Sequence, residues 1–257
     1  MMNATLQSRM EALSLCVVLP TYNNNKTLAG VIDEVLQYTF SLIVVNDGST
    51  DDTEDILNRF ADRIDVVSYK PNKGKGFALK TGFNRAEELG YKGAVTMDSD
   101  GQHFASEIEA FVDYAERNTG ALLLGQRTSE GDMPAKNSFA NNFSNFWFAV
   151  QTAYRFQDTQ NGFRLYPLAA MKGLRPFSSR YEAELEMLVR LAWRGVRIVP
   201  VPTRVYYPPA GERVTHFRPG KDFFRISVLN TIFTFMAVVY GYPSMFIHWL
   251  FSERKKS

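Results

Sequence analysis

Short apolar, β-branched runs at 15–19, 42–45, 64–68, 94–97 and 122–124 alternate along the first half of the chain with amphipathic segments near 26–38, 51–60, 75–89 and 106–117. Each run is long enough for one strand and each segment for one crossover helix. A chain that repeats this pair builds a mostly parallel sheet with helices on both faces, an α/β fold. Ligands of such sheets gather at the carboxyl ends of the strands. Three of those ends carry polar clusters here, Pro20-Thr21-Tyr22-Asn23, Asn46-Asp47-Gly48-Ser49 and Asp98-Ser99-Asp100. One crevice is expected to collect them.

Composition narrows the partners. The 257 residues are 45% apolar and carry 29 Lys and Arg against 27 Asp and Glu, a net charge of +2. Such a chain buries a core without disulfides, which excludes disorder, a collagen-like repeat and a cysteine-stapled scaffold. Near-neutral charge argues against nucleic acid as a partner. Cys16, between Leu15 and Val17, reads as a small buried hydrophobe. The first fourteen residues include Arg9 and Glu11 and no apolar stretch, so no secretion signal is expected there.

The second half is less regular. Helices are expected near 136–155 and 181–194 and a strand near 196–200, followed by a loop rich in Pro, Gly and Arg over 202–220. From Ile226 to Phe251 no Asp, Glu, Lys or Arg occurs. Gly241 and Pro243 are expected to break this run, leaving a first piece, 226–240, shorter than the roughly 20 residues that cross a bilayer. Its polar stripe Ser227, Asn230, Thr231 and Thr234 suits an interfacial helix, with Ile226, Leu229, Phe233, Met236 and Tyr240 toward acyl chains, or else these apolar residues complete the core or a dimer interface. Basic residues flank the run at Lys221 and Arg225 and at Arg254, Lys255 and Lys256. That pattern puts both flanks on the cytoplasmic face of the cell's inner membrane, in a peripheral or re-entrant segment. The chain thus divides into a catalytic unit, 1–222, and an apolar membrane-associating helical segment, 223–257.

Asp98 and Asp100 stand two apart after the run 93–97, so on an extended strand end both carboxylates face one side. Such neighbours repel unless a cation lies between them or one takes a proton. A hard divalent ion such as Mg²⁺ or Mn²⁺, completed by substrate phosphates, resolves the conflict, and Gln102 continues the alternation as a third oxygen. Alone, an Asp-x-Asp is also an ordinary solvated turn. Asp47 suits the N–H groups of a nucleobase or a ribose hydroxyl, while Ser49, Thr50 or Asp51 caps the following helix. Thr21, Tyr22 and Asn23 replace the glycine-rich turn of a dinucleotide fold, which excludes hydride transfer. Lys73-Gly74-Lys75-Gly76 lacks the Walker spacing.

Pro20-Thr21-Tyr22-Asn23, Val45-Asn46-Asp47-Gly48-Ser49-Thr50-Asp51, Asn72-Lys73-Gly74-Lys75-Gly76-Phe77-Ala78 and Met97-Asp98-Ser99-Asp100-Gly101-Gln102-His103 follow the order and spacing of the family 2 glycosyltransferases. The sequence is most similar to the dolichyl- or polyprenyl-phosphate mannose synthase branch. The resemblance continues through Gly125-Gln126-Arg127, Asn161-Gly162-Phe163-Arg164 and Tyr181-Glu182-Ala183-Glu184, about residues 14 to 225. It implies a GT-A fold, a nucleotide sugar linked to UDP or GDP, a divalent metal and inversion at the anomeric carbon. It puts Pro20, Thr21, Tyr22, Asn23, Asp47 (on the base), Lys75, Asp98 and Ser99 on the nucleotide sugar. The metal falls to Asp98, Asp100 and Gln102, with Asp100 catalytic, and Gly162 to the acceptor region. Ala105 departs from the family, which usually has proline there.

Expulsion of a nucleoside diphosphate builds negative charge that a metal and basic side chains share. The stretch between Arg204 and Arg225 is rich in them, and Arg213, His216 and Arg218 are the expected phosphate clamp, or else part of a surface loop that meets anionic lipid. Arg127 and Arg164 are candidates to grip an acceptor phosphate, or else structural ion-pair partners. Glu184, on a face with Leu188 and Leu191, is either the base a hydroxyl acceptor would need or a first-turn glutamate favoured by its helix dipole. Two acceptors therefore stand open, a polyprenyl phosphate at a membrane surface and a hydroxyl on a lipid or growing glycan. A nucleotidyltransferase is disfavoured by Pro20-Thr21-Tyr22-Asn23, and a silent binding module by the retained acids Asp98, Asp100 and Glu184.

Overall fold

A computed structural model describes residues 4–128, 135–174, 178–180, 182–206 and 219–253. After helix α1 (Ala4–Ala12), strands and helices alternate: β1 (Leu15–Thr21), α2 (Leu28–Val35), β2 (Leu42–Asp47), α3 (Thr53–Asn58), β3 (Asp65–Tyr69), α4 (Lys75–Glu88), β4 (Gly93–Thr96), α5 (Ile108–Arg117) and β5 (Leu122–Arg127). Then come α6 (Ala135–Thr152), β6 (Arg164–Pro167), the short α7 (Leu168–Met171), α8 (Glu182–Trp193), β7 (Ile198–Thr203), α9 (Pro219–Met236) and α10 (Tyr242–Glu253). Seven strands among the described residues form one sheet in the order β3-β2-β1-β4-β6-β5-β7. Of these, β6 runs antiparallel to its neighbours and the other pairings are parallel.

The sheet's period of two sorts its side chains into two cores. Val17 and Leu19 of β1 face a layer formed with Leu28 and Ile32 of α2 and Ile108 and Phe111 of α5. Cys16 and Val18 face the other layer, with Leu79 and Phe83 of α4 and Met187 and Leu191 of α8. Cys16 is fully buried, and burial pushes its thiol up. The spacing Leu28, Val31, Ile32, Val35 makes α2 amphipathic, so it buries one stripe and exposes the rest.

Four expectations change. Strands β1 and β2 run on to Thr21 and Asp47, so these polar residues end strands instead of following them. β6 escapes a reading by periodicity, because a four-residue strand that begins with a charge and ends in proline has no apolar run. α1 is a further element beyond the expected pattern. The fourth change concerns the apolar C-terminal run. Gly241 and Pro243 do not break it: α9 passes through a π-helical turn, Ala237–Gly241, straight into α10. The span Ile226–Phe251 is long and apolar enough to cross a membrane by length and composition, and about a quarter of it is buried (28%). The boundary between 222 and 223 falls inside α9.

That helix docks on the core by part of the face that an interfacial helix would turn to lipid. Phe233 is buried against Trp193, their rings 5.4 Å apart, instead of pointing outward. Leu229 and Met236 also pack on the core. Asn230, from the polar stripe, is buried because Gln151 Nε2 donates to its Oδ1 at 3.2 Å. Trp193 Nε1 in turn donates to the Gln151 carbonyl at 2.8 Å. At Gly241 a side chain is excluded, since a Cβ would lie 2.5 Å from Trp193 Nε1. The opposite face bares Phe235, Val238, Val239, Tyr240, Phe246 and Trp249.

Candidate active site

The crevice opens between the carboxyl ends of β1 and β4. Pairing of the two strands stops at Val18↔Thr96. Pro20 lies beyond the last pair, so its missing N–H costs no bond to β4. β2 and β3 carry the sheet one way from β1, and β4 starts the other way, which makes this the topological switch point.

Residues after Thr96 leave the sheet in a turn, with Gly101 at φ +76°. Strand alternation therefore does not place Asp100 and Gln102. Instead the Gln102 backbone N–H donates to Asp100 Oδ1 at 3.0 Å and its side-chain Nε2 to Oδ2 at 2.9 Å. Gln102 is thus turned onto Asp100 and orients it. The Ser99 carbonyl accepts from Asn24 Nδ2 at 2.5 Å and Thr27 Oγ1 at 2.7 Å, which ties the turn to the start of α2. The Asp98 N–H donates to His103 Nδ1 at 3.2 Å, so the ring carries its proton on Nε2, 3.2 Å from Asn161 Oδ1. Ala105 has a use that proline would lack: its N–H donates to Glu34 Oε1 at 2.9 Å.

Behind this turn lies a half-buried ion cluster. Lys75 Nζ, from the first residue of α4, sits 2.6 Å from Asp98 Oδ1 and 2.7 Å from Glu184 Oε2. Burial pushes the Asp98 carboxyl up, but the Lys75 ammonium, together with the neighbouring His103 and Arg164, outweighs it and holds the group below the ordinary carboxylate range. Burial also works against a charged Lys75, and its two carboxylate partners more than offset it, raising its pKa. Asp100 goes the other way, raised by burial and then by the charge of Asp98. Glu184 points inward as its helix face requires, and its Oε1 is buried with no hydrogen-bond partner among the described residues. Gly162 makes room for the cluster: a Cβ there would lie 2.9 Å from Asp98 Oδ2 and 3.1 Å from Lys75 Nζ. Gly74 and Gly76 serve close approach too, since Cβ atoms there would meet the Ser179 carbonyl at 2.5 Å and Ala183 Cβ at 2.2 Å.

Other expected residues are already engaged by the protein. Asp47 is 3% exposed and accepts from Asn72 Nδ2 and the backbone N–H groups of Lys73 and Gly74, all within 2.7 to 2.8 Å. Its first task is to clasp the loop that leads to Lys75. Asn23, at φ +46°, accepts from Thr50 N–H and donates its own backbone N–H to Ser49 Oγ. Thr21 keeps a buried hydroxyl with no partner among the described residues. Tyr22 is half-buried beside it.

The two arginines expected at an acceptor phosphate are both engaged by the protein. Arg164 is 1% exposed and donates to the carbonyls of Asn161, Glu184 and Thr159 and to the Tyr166 hydroxyl. It is a strut between β6 and α8, spent on the protein instead of on a ligand in the crevice. Arg127 makes a two-pronged pair with Asp158, at 2.5 and 2.6 Å. Arg127 is thus the ion-pair partner of the structural alternative, while Arg164 is held by carbonyls and a hydroxyl instead of by an acid. Arg213, His216 and Arg218 lie outside the described residues. The chain enters their segment from Tyr206, whose N–H donates to the Gln102 carbonyl at 2.8 Å.

The donor set tests whether a divalent ion fits. Asp98 and Asp100 share one turn and supply only oxygen. Asp100 holds its proton more tightly than an isolated carboxyl, because burial and then the charge of Asp98 disfavour its ionised form. Among the described residues no three His, Cys, Asp or Glu are grouped to hold an ion by themselves. Two carboxylates that need further oxygens match Mg²⁺ or Mn²⁺ bound together with phosphates. The residues fit such an ion, with Asp98 and Asp100 as ligands and Gln102 as the group that orients Asp100. Sequence reasoning missed the supports: His103 with Asn161, Asn24 with Thr27, and Asp158. The three consecutive asparagines 23–25 were the visible signal for the second, since short amides so placed bind turns.

The model of glycosyl transferase family 2 matches residues 16–173, more than half of the chain. A UDP-N-acetylglucosamine–dolichyl-phosphate N-acetylglucosaminyltransferase of Methanococcus voltae is 27% identical over 238 residues, covering 83% of this chain and 95% of that one. The dolichyl-phosphate β-glucosyltransferase of Homo sapiens is 28% identical over 208 residues, 68% of this chain and 61% of that one. Among solved structures, glucosyl-3-phosphoglycerate synthase of Mycobacterium tuberculosis with Mn²⁺, UDP and glucosyl-3-phosphoglycerate superposes with a TM-score of 0.61 at 20% identity, covering 90% of this chain and 82% of that one, and so shares the fold. With the crevice, its paired aspartates and the matching family model in agreement, the chain belongs to glycosyl transferase family 2 and is a glycosyltransferase.

Proposed function

We propose that the enzyme moves a sugar from a nucleotide donor to a polyprenyl phosphate, with inversion, at the surface of a membrane. The observation that carries the donor half is the Asp98-x-Asp100 turn at the switch point, with Lys75 behind it. In this reading Asp98 and Asp100 hold Mg²⁺ or Mn²⁺, which when bound supplies Lewis acidity to the departing diphosphate. Thr21, Tyr22, Asn23, Asp47 and Ser99 line the nucleoside side, where the Thr21 hydroxyl, unpartnered among the described residues, awaits a ligand. Lys75 gives a fixed positive charge next to the diphosphate. Arg213, His216 and Arg218 are proposed to cover the anionic groups from the segment that begins beside Gln102. Bond formation from the face opposite the leaving group inverts the anomeric carbon.

The acceptor half rests on two observations. The relatives just named transfer to dolichyl phosphate, and α9–α10 bares an apolar face beside the catalytic domain. That helix is docked along Asn230, Phe233, Ala237, Gly241 and Ser244, so its open side lies flat against lipid in this reading. The basic flanks set the cytoplasmic face. A phosphate is already an anion and needs no base, which leaves Glu184 to hold Lys75. The hydroxyl-acceptor reading draws on one observation, the Oε1 of Glu184 that finds no partner among the described residues.

Incubation with labelled UDP- and GDP-sugars, Mn²⁺ and either polyprenyl phosphate or polyprenol, followed by partition into organic solvent, separates the two. The proposal expects label in the organic phase only with the phosphate. Glu184→Gln should then cost less than about tenfold in rate, against the roughly 10² to 10⁴ that loss of a general base costs. Transfer to polyprenol, abolished in Glu184→Gln, would overturn the acceptor assignment.

A further inference from the structure

Lys75 is charged, with 17% of its side chain exposed, and shared between two carboxylates of which one, Asp98, belongs to the pair that fits a divalent ion. An ammonium at 2.6 Å offsets part of the Asp98 charge before any other cation arrives. Asp100 has no such partner among the described residues; its carboxylate is met there by the amide groups of Gln102. The two halves of the pair are therefore unequal, one partly neutralised in advance and one not. Space adds to the effect. Gly162 packs against the cluster, where a Cβ would lie 2.9 Å from Asp98 Oδ2 and 3.1 Å from Lys75 Nζ, so an ion added at Asp98 comes close to the ammonium already held on Oδ1 and is repelled by it.

We propose that Lys75 is a resident counter-ion that competes with the divalent metal for Asp98, and thereby makes metal binding depend on the nucleotide. This rests on the metal-dependent donor reading above and names the residue that orders it. Without donor, an ion has to displace an ammonium from Asp98 and gains only Asp100 in exchange. With donor, the diphosphate oxygens add ligands to the ion and a new anion for Lys75, so the exchange becomes favourable. Glu184 keeps the ammonium within reach during the exchange, because its Oε2 still holds Lys75 at 2.7 Å when Asp98 lets go. Lys75 is on this account a positioning residue for the metal as well as a contact for the diphosphate.

Binding of Mn²⁺ to the full chain, read from the spin-resonance signal of free Mn²⁺ with and without UDP or GDP, tests this apart from turnover. The wild type should bind Mn²⁺ at least about tenfold more tightly with the matching nucleotide than without it. Lys75→Gln should gain at least about tenfold in nucleotide-free affinity, so that the ratio shrinks. Because Lys75→Gln leaves buried carboxylates unpaired and threatens folding, Lys75→Gln/Glu184→Gln, which removes one charge of each sign, should show the same gain. Wild-type binding that depends on nucleotide, with both variants unchanged in nucleotide-free affinity, would overturn the role of Lys75 and leave the donor reading standing. A wild type that binds no Mn²⁺ with any nucleotide would overturn both.

Discussion

The switch-point crevice and the C-terminal helix both place polar groups inside the protein, but by different means. In the crevice the polar residues come in clusters at strand ends, and turns that meet there satisfy them: Gln102 on Asp100 within one turn, Asn72 and Gly74 on Asp47 from the loop after β3. On α9 a single buried amide, Asn230, meets Gln151 from α6, a partner 79 positions away. Loops converging at strand ends thus build the first region, and a helix packed on the core the second. Substitutions should accordingly act on reaction in one and on assembly in the other.

The largest effect is expected in the crevice. Asp100→Asn should lower transfer by at least about 10² to 10³, the scale on which charge stabilisation at a reacting centre is lost, with circular dichroism and melting unchanged. If turnover survives, the paired aspartates do not hold the metal. On the other side of the comparison, Gly241→Val forces a side chain into Trp193, and overpacking of this kind costs about 1 to 3 kcal/mol. Thermal unfolding should show that loss. An unchanged melting temperature would mean that the helix is not anchored through Trp193.

Acidity sharpens the contrast within the crevice itself. Asp98, held low, contributes stability that is present above its unfolded value of 3.8 and is lost only as pH falls below that value toward the folded one. Asp100, held high, takes up its proton at a pH above 3.8, where Asp98 is still ionised. Nucleotide-dependent Mn²⁺ affinity should therefore fall on acidification, by up to about tenfold per pH unit, before the secondary structure is lost. Titration at stepped pH checks this, and an affinity flat down to the unfolding range would contradict it. The smallest effect belongs to the outer face of α9. Phe235 is 72% exposed, so Phe235→Ser should change stability by no more than about 0.5 kcal/mol while weakening co-sedimentation with anionic liposomes. Equal sedimentation of both proteins would remove Phe235 from the lipid-facing side.

The same contrast explains what the sequence makes legible. Strands β1 to β5 and the helices between them follow from periodicity, and the clusters at 20–23, 46–49 and 98–100 mark the crevice because strand ends converge. The long-range pairings are not legible. Arg127 and Arg164 look like ligand-binding cations until Asp158 and the carbonyls of Thr159, Asn161 and Glu184 come into contact with them. Phe233 looks lipid-facing because helical periodicity says which residues share a face and not which face is covered. The π-helical turn further shifts the register between α9 and α10, and the group packed against it at Gly241, the indole of Trp193, comes from a distant helix, α8.

The central claim is that a sugar leaves a nucleotide and arrives, inverted, on the phosphate of a lipid. Proton and phosphorus magnetic resonance of the purified lipid product tests it most directly. The account predicts a β-anomeric proton, from an α-linked donor, coupled to a phosphodiester phosphorus. An α-anomer, or an anomeric carbon joined through oxygen to carbon with no phosphorus coupling, would contradict it.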